Sequence, residues 1–188
     1  MKLLASAILA FHVAAGPALA GPAVDAASKA EQLAAQSKFD EAFQAIDEAR
    51  EAIWKAAPLT FREALFDTSD PQGFGIFDAR ESTTFKKSEP LIIYSEPMGF
   101  GYGQDGELYV IDLALDFIIK KPDGSEVAKQ ENFASLTLRS RVPNKEFMAK
   151  VTYDVSGLPA GDYSVTTIAH DKNPPKTGEF TLDFTLTD

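Results

Sequence analysis

The sequence predicts a mainly β protein, an antiparallel β-sandwich preceded by a helical segment. Two observations support this fold class. Residues 24–57 are rich in Ala, Glu, Gln and Lys and contain neither Gly nor Pro, a composition that favours helix. From Thr60 onward, apolar and polar residues alternate in short runs that turn residues separate, with no helical segment between them. This order favours two antiparallel sheets over a parallel α/β fold.

The N-terminus has the pattern of a secretory signal peptide. Lys2 precedes an apolar stretch over residues 3–15, and the small-residue triplet Ala18-Leu19-Ala20 follows. The stretch is shorter than the roughly 20 residues that a membrane span needs. We therefore expect cleavage near Ala20 and a periplasmic or secreted mature protein without membrane insertion.

The composition excludes several classes of function. The chain carries 18 basic and 28 acidic residues and a net charge of −10, with no basic block. Such a balance repels phosphate backbones and anionic headgroups, so neither nucleic acid nor a membrane surface is an expected partner. The chain has no cysteine, so it has no disulfide, no thiol nucleophile and no lipid-attachment site.

The helical segment predicts an amphipathic element that ends at Pro58. Its large apolar residues fall on one side of a helix and include the chain's only tryptophan: Phe39, Phe43, Ile46, Ile53 and Trp54. We expect this side to pack against the sandwich and to stabilise it. The predicted organisation is a signal peptide over residues 1–20, a helical segment over 21–58 and a β-sandwich over 59–188.

The peptide Ser37-Lys38-Phe39-Asp40-Glu41-Ala42, followed by Ala49, resembles the turn and second helix of a tetratricopeptide repeat. Ser37 replaces the glycine usual in that family, and the sequence has no second copy. Because isolated repeats cannot bury their own faces, a repeat array with a peptide groove is not expected. The segment predicts either a helical hairpin or a kinked helix.

Alternating residues predict the strands of the sandwich. The longest run covers residues 109–119, with Asp112 and Asp116 on its polar face, and the turn Pro122-Asp123-Gly124-Ser125 follows it. Further strands are predicted over residues 146–155, 163–171 and 179–186, and another contains Leu91, Ile93 and Tyr94 and ends at Pro97.

The segment Leu158-Pro159-Ala160-Gly161-Asp162-Tyr163 resembles the tyrosine corner of immunoglobulin-like and fibronectin type III sandwiches. The resemblance implies an immunoglobulin-like antiparallel β-sandwich in which the Tyr163 hydroxyl bonds to the backbone just upstream. The role that the resemblance implies for Tyr163 is structural. The whole chain also resembles uncharacterised exported bacterial proteins that join a helical start to such a sandwich.

No catalytic constellation is visible in the sequence. His170 is the only histidine after residue 20, and its neighbour Asp171 points to the opposite face of a strand. Asp112 and Asp116 share one face but lie about 13 Å apart on an extended strand. Paired glycosidase carboxylates are closer, at about 5–9.5 Å. We therefore expect a non-enzymatic protein whose carboxylates pair with Arg139, Arg141 or a lysine.

Three acidic turns are weak candidates for calcium: residues 67–70, 104–107 and 123–126. None has the spacing of an EF-hand loop, and the Asp-Gly dipeptide is common in tight hairpin turns that bind no metal. The chain also has no zinc pattern. We predict neither a metal nor a cofactor.

Two loops interleave aromatic residues with glycine: residues 73–77, with Phe74 and Phe77, and residues 97–103, with Phe100 and Tyr102. Glycine permits close approach of the backbone, and aromatic side chains present a large contact area. These four aromatics are the predicted binding residues. The alternative is that they close the ends of the sandwich or cover the helical segment.

These observations favour a binding or assembly module that contacts a protein or glycan of the cell envelope. Two alternatives remain open. The first is a hydrolase that uses carboxylates from separate strands or loops, and the second is a purely structural spacer.

Overall fold

The computed structural model describes residues 21–188, and the predicted signal peptide lies outside these described residues. The described chain is mainly β, with two helices at its N-terminus. The described residues divide into two compact units, with the boundary between Ala52 and Ile53. Among the described residues, no helix is both long and apolar enough to cross a membrane.

The helices are α1, Pro22–Ala35, and α2, Phe39–Ala56. Proline at the first helical position suits α1, because its fixed φ matches the helix and its missing N–H is not needed there. Between the helices, Ser37 adopts a left-handed φ of 59° and the Lys38 N–H donates to the Leu33 carbonyl at 3.0 Å. Lys29 and Glu48 form an ion pair across the two helices. The segment is therefore a helical hairpin.

Apart from Trp54, the buried positions of the helices are alanines: Ala30, Ala42, Ala45 and Ala49. The large apolar side chains beside them are exposed, by 57 % at Phe39, 68 % at Phe43, 50 % at Ile46 and 63 % at Ile53. The expected burial of Phe39, Phe43 and Ile46 is not found, because the small residues take the buried side of α2. Of the predicted stripe, only Trp54 is buried.

Nine strands follow: β1 (Thr60–Phe66), β2 (Thr84–Lys86), β3 (Leu91–Met98), β4 (Gly103–Asp105), β5 (Leu108–Lys120), β6 (Glu126–Ser140), β7 (Ala149–Tyr153), β8 (Gly161–Asp171) and β9 (Thr177–Thr187). A three-stranded antiparallel sheet has the order β1-β3-β7. β3 continues through Pro97, which pairs with Phe61, and so extends one residue beyond the predicted end.

The larger sheet has six strands, in the order β2-β9-β8-β5-β4, and β6 pairs with β5. The β2 and β9 strands are parallel, and the other pairs are antiparallel. One of the two sheets curls into a half-barrel. β6 was not among the predicted strands.

Apolar residues of both sheets form one core, which also includes Trp54 and Leu59. Ring contacts join the sheets, with centroids 6.4 Å apart for Phe66 and Phe184 and 5.2 Å apart for Phe117 and Tyr153. Full burial of one large apolar side chain stabilises a fold by about 1.5–3 kcal/mol. In a chain without disulfides, this core is the main source of stability.

The hydrogen bond expected of Tyr163 is present. Its hydroxyl donates to the Pro159 carbonyl at 2.9 Å, and its ring stacks on Phe184 with centroids 5.6 Å apart. The bond fastens the loop that enters β8 to the first residues of that strand.

Candidate functional site

Phe100 lies in the core and not on a recognition surface. Its side chain is 1 % exposed, and its ring meets the edges of Trp54 and Phe147 at 5.0 Å and 5.8 Å between centroids. The Trp54 indole N–H also donates to the Phe100 carbonyl at 2.7 Å. Phe100 therefore closes the end of the core, which is the alternative that the sequence left open, and its side chain is not exposed at the surface of the described chain.

The glycines around Phe100 allow the chain to approach itself. Gly99 has a left-handed φ of 75°, and a Cβ there would lie 2.2 Å from the Pro58 carbonyl oxygen. A Cβ at Gly101 would lie 2.4 Å from Pro174 Cδ. The close approach that the glycine spacing indicates is thus made by residues 58 and 174 of the same chain.

Polar contacts also fasten this loop. Asp171 is buried and accepts hydrogen bonds from the N–H groups of Gly101, at 2.6 Å, and Asn173, at 2.9 Å. Burial raises the pKa of the Asp171 carboxyl above its ordinary value. The Lys176 ammonium donates to three backbone carbonyls: Lys55 at 3.1 Å, Ala57 at 2.7 Å and Gly99 at 2.7 Å.

Tyr102 is half-buried and engaged with its own chain. Its hydroxyl donates to the Asn144 carbonyl at 3.0 Å. Its ring makes edge contacts with Phe100 at 5.6 Å and Tyr109 at 5.9 Å between centroids. Tyr102 therefore extends the aromatic cap and is only partly available to another molecule.

The other aromatic-glycine loop, residues 73–77, lies over β3. Phe77 packs on Tyr94 with ring centroids 4.4 Å apart, and the Gly75 N–H donates to the Tyr94 hydroxyl at 2.7 Å. The Arg62 guanidinium lies 4.7 Å from the Phe74 ring centroid. Phe74 and Phe77 are both half-buried, so each of these predicted binding residues contributes first to covering the strand.

A buried polar cluster lies beneath this loop. Glu96 is 1 % exposed, accepts a 2.7 Å hydrogen bond from Arg62 Nε, and accepts a second bond from the Tyr94 hydroxyl. Burial and the bond to Glu96 raise the pKa of Tyr94 to about 12. None of these three residues was a predicted site residue, and Tyr94 was expected only as part of a strand. A glutamate inside an apolar strand was the available signal, but its partner Arg62 is 34 positions upstream.

His170 pairs with Asp116 on the neighbouring strand, at 2.8 Å between Nε2 and Oδ2. The Asn132 N–H donates to the same carboxylate, and this bond, together with the contact to His170, lowers the pKa of Asp116. Thr177 Oγ1 lies 3.4 Å from His170 Nδ1, outside the roughly 2.6–3.2 Å that general-base catalysis uses. Asp112 forms its own ion pair with Lys172, at 3.1 Å. The carboxylates of β5 are thus paired with His170 and Lys172 and not with each other.

Within residues 21–188, no three acidic or histidine side chains gather as a metal-binding group. Asp67 is buried and accepts bonds from the N–H groups of Ser69 and Asp78. Asp123 accepts bonds from the N–H and hydroxyl of Ser125, which lower its pKa. Two of the three acidic turns therefore use an aspartate to hold the turn itself.

The outer edge of β6 is open. Within the part of the chain that the structure describes, β6 pairs with β5 on one side and with no strand on the other. The two halves of the strand differ. Over residues 126–132 the register shifts, Asn132 takes a left-handed φ of 50°, and Glu126, Lys129 and Glu131 are exposed. Bulges and charges of this kind protect natural edges against unwanted pairing.

Residues 134–140 lack this protection. They pair with β5 in continuous register from Ala134 to Ser140. Their one charged residue, Arg139, is bound to Asp105 at 3.2 Å. Leu136 and Leu138 are half-buried against the core, and Ser135 and Thr137 are exposed on the other face. We call residues 134–140 the β6 edge segment.

No protein-family model matches the chain, and no curated protein matches it. Among solved structures, the chain is similar to the crystal structure of a tetra-tandem repeat in the extending region of a large adhesion protein, with 15 % identity and a TM-score of 0.34. The match covers 69 % of this chain, which spans 24 % of the length of that chain. Similarity at this level carries no information about function.

Proposed function

We propose that the protein is a non-enzymatic binding or assembly module of the cell envelope, periplasmic or secreted after loss of residues 1–20. We further propose that it binds its partner by strand addition at the β6 edge segment. The observation that carries the proposal is a regular, nearly uncharged strand edge that no other strand in the described chain covers.

The physical basis is the backbone of an edge strand. Alternate N–H and C=O groups of an antiparallel strand point away from its one neighbour, so they form hydrogen bonds with an added strand. Such main-chain bonds supply affinity, and side-chain pockets at every second residue supply specificity. At this edge, Leu136 and Leu138 offer the half-buried apolar positions.

This geometry favours a protein partner over a glycan. A glycan platform uses exposed aromatic faces, but Phe100 is buried and Tyr102 packs against two other rings. An extended polypeptide segment with apolar residues at alternate positions would continue the sheet and cover Leu136 and Leu138. We therefore propose that the partner presents such a segment.

We also propose that the β part of the chain is an immunoglobulin-like sandwich. The bond from Tyr163 to Pro159 supports this, because a tyrosine at the start of the penultimate strand that bonds a few residues upstream is a feature of that fold. Immunoglobulin-like domains commonly serve as recognition or assembly modules, but the fold alone does not assign the function.

The proposal is tested by photo-crosslinking in intact cells. A photoreactive amino acid replaces Thr137 in the β6 edge segment, and a control replaces Thr166, which lies on β8 and pairs with Ile118 of β5 on one side and Thr181 of β9 on the other. We expect a crosslinked protein only at position 137, and mass spectrometry should map the bond to one short segment of that protein.

Two proline variants distinguish strand addition from another contact. Neighbouring N–H groups of a strand point to opposite edges. Of the variants Ala134→Pro and Ser135→Pro, one therefore removes a hydrogen bond to β5, and the other removes an N–H group that points to the open edge. The variant that keeps the wild-type melting temperature should lose the crosslink at Thr137. Full crosslinking in that variant, or equal crosslinking at Thr137 and Thr166, would contradict the proposal and favour a spacer.

A further inference from the structure

Helix α2 carries an exposed apolar stripe formed by Phe39, Phe43, Ile46 and Ile53, each at least half exposed. Phe39, Ile46 and Ile53 are seven residues apart, and Phe43 lies between the first two. A seven-residue repeat keeps these side chains on one line along the helix, as in a coiled-coil seam. We call these four residues the α2 stripe.

The α2 stripe is large enough to be an interaction surface. An aromatic side chain offers about 150–250 Å² of contact area, so four side chains that are half to two-thirds exposed present roughly 400–500 Å². Exposed apolar patches of a few hundred Å² on soluble proteins mark contact sites. Two such stripes facing each other would bury about 1,000 Å², near the lower limit for a specific interface.

We infer that a second copy of this chain covers the stripe, with the two α2 helices antiparallel and crossing at Ile46. Three of the four positions of the stripe are symmetric about Ile46, because Phe39 and Ile53 lie seven residues to either side of it. Phe39 of one copy then faces Ile53 of the partner subunit, and the two Ile46 side chains meet on the two-fold axis. Such a self-complementary patch suits a two-fold dimer.

Charge decides the orientation. Arg50 lies on the same side of α2 as the stripe, between Ile46 and Ile53. Parallel helices would place Arg50 against Arg50 of the partner subunit, and like charges repel. Antiparallel helices place it beside Phe43 and Asp40 of the partner subunit, where a cation contacts an aromatic ring and a carboxylate. The inference does not depend on the β6 edge segment.

The absence of cysteine makes the test direct. In the exported protein, Ile46→Cys should oxidise to a disulfide dimer, because two Cβ atoms on the axis reach the roughly 3.8 Å that a disulfide needs. Phe39→Cys alone should not crosslink, whereas Phe39→Cys/Ile53→Cys should. The control Gln44→Cys, at an exposed position on another side of α2, should stay uncrosslinked. Crosslinking of Phe39→Cys alone would show parallel helices and overturn the orientation.

Sedimentation velocity tests the dimer without crosslinks. Over a concentration range of about 1 μM to 1 mM, the protein should pass from monomer to dimer. Ile46→Glu should raise the dissociation constant at least tenfold, and Gln44→Glu should leave it unchanged. Circular dichroism checks that both variants keep their helices. A monomer at every concentration would overturn the inference, and the β6 proposal would stand unaffected.

Discussion

Residues 97–103 and residues 134–140 lie in the same β unit and differ in how their backbone is used. In the first region, Asp171 and Lys176 form hydrogen bonds with backbone groups of the loop. Pro58 and Pro174 lie so close to the loop that a side chain in place of its glycines would clash with them. In the second region, strand β5 uses one side of the backbone, and no strand in residues 21–188 uses the other.

The difference lies in what the backbone still offers to another chain: the groups of residues 97–103 are engaged, whereas the outer groups of residues 134–140 have no strand partner within residues 21–188. Backbone N–H and C=O groups need partners, and a row of open ones is a template for another strand. A loop whose groups are already bonded gains little from a partner. Substitutions at residues 97–103 should therefore affect stability, and changes at residues 134–140 should affect binding.

The largest expected effect is that of Phe100→Ala. Removing a buried phenylalanine leaves a cavity beside Trp54 and Phe147, and such changes cost about 3–5 kcal/mol. Chemical denaturation should show this loss, while Thr137 crosslinking in the folded fraction remains. Tyr102→Ala, at a half-buried position, is the matched variant and should cost less. Wild-type stability in Phe100→Ala would mean that the loop is open.

The second prediction concerns stability at alkaline pH. It tests whether the polar cluster of Tyr94, Glu96 and Arg62, beneath residues 73–77, is shielded from solvent as residues 97–103 are. Burial raises the pKa of Tyr94 and of Tyr153 from 10.0 to about 12, and the bond to Glu96 contributes at Tyr94. The folded state holds these protons more tightly than the unfolded state. The corresponding stability is fully present below pH 10 and is lost as the pH rises through 12.

At Tyr153, a shift of this size corresponds to about 2–3 kcal/mol. The free energy of unfolding, measured by denaturant titration at successive pH values, should fall over this range. Tyr94→Phe and Tyr153→Phe should each make the fall shallower. A tyrosine at position 94 that titrates near pH 10 in the folded protein would show that residues 73–77 leave the cluster open to solvent.

A smaller effect is expected at the corner of the sandwich, which is closed by a single bond. Tyr163→Phe removes the hydroxyl that bonds to the Pro159 carbonyl and should lower the free energy of unfolding by about 1–3 kcal/mol. Thr166→Val, which removes a hydroxyl pair between neighbouring strands with Thr181, is the control and should cost less. Equal midpoints for wild type and Tyr163→Phe would mean that the corner bond does not stabilise the fold.

Local patterns were sufficient for the helices and for several strands. The alternation over residues 109–119 predicts β5, and the alternation near the C-terminus predicts β9. These strands have one buried and one polar face, which is the condition under which a period of two is visible. The Tyr163 bond also follows from a local segment.

The features on which the proposed function rests depend on contacts between residues far apart in the sequence. β6 escaped prediction because its first half is polar and irregular, so residues 126–132 show no alternation. Its open edge is a property of strand order, which no single strand's sequence encodes. The spacing of Gly99 and Gly101 correctly indicates that another part of the structure approaches this backbone closely. It does not reveal that the approaching residues are Pro58 and Pro174.

The central claim is that one side of residues 134–140 is open in the free protein and closed in the complex. Amide hydrogen exchange of the free protein, resolved by NMR, measures this directly. We expect alternate amides of residues 134–140 to be protected by β5 and the amides between them to exchange quickly. In the complex crosslinked at Thr137, the fast amides should become slow. Uniform protection of residues 134–140 in the free protein would contradict the account, as would fast amides that stay fast in the complex.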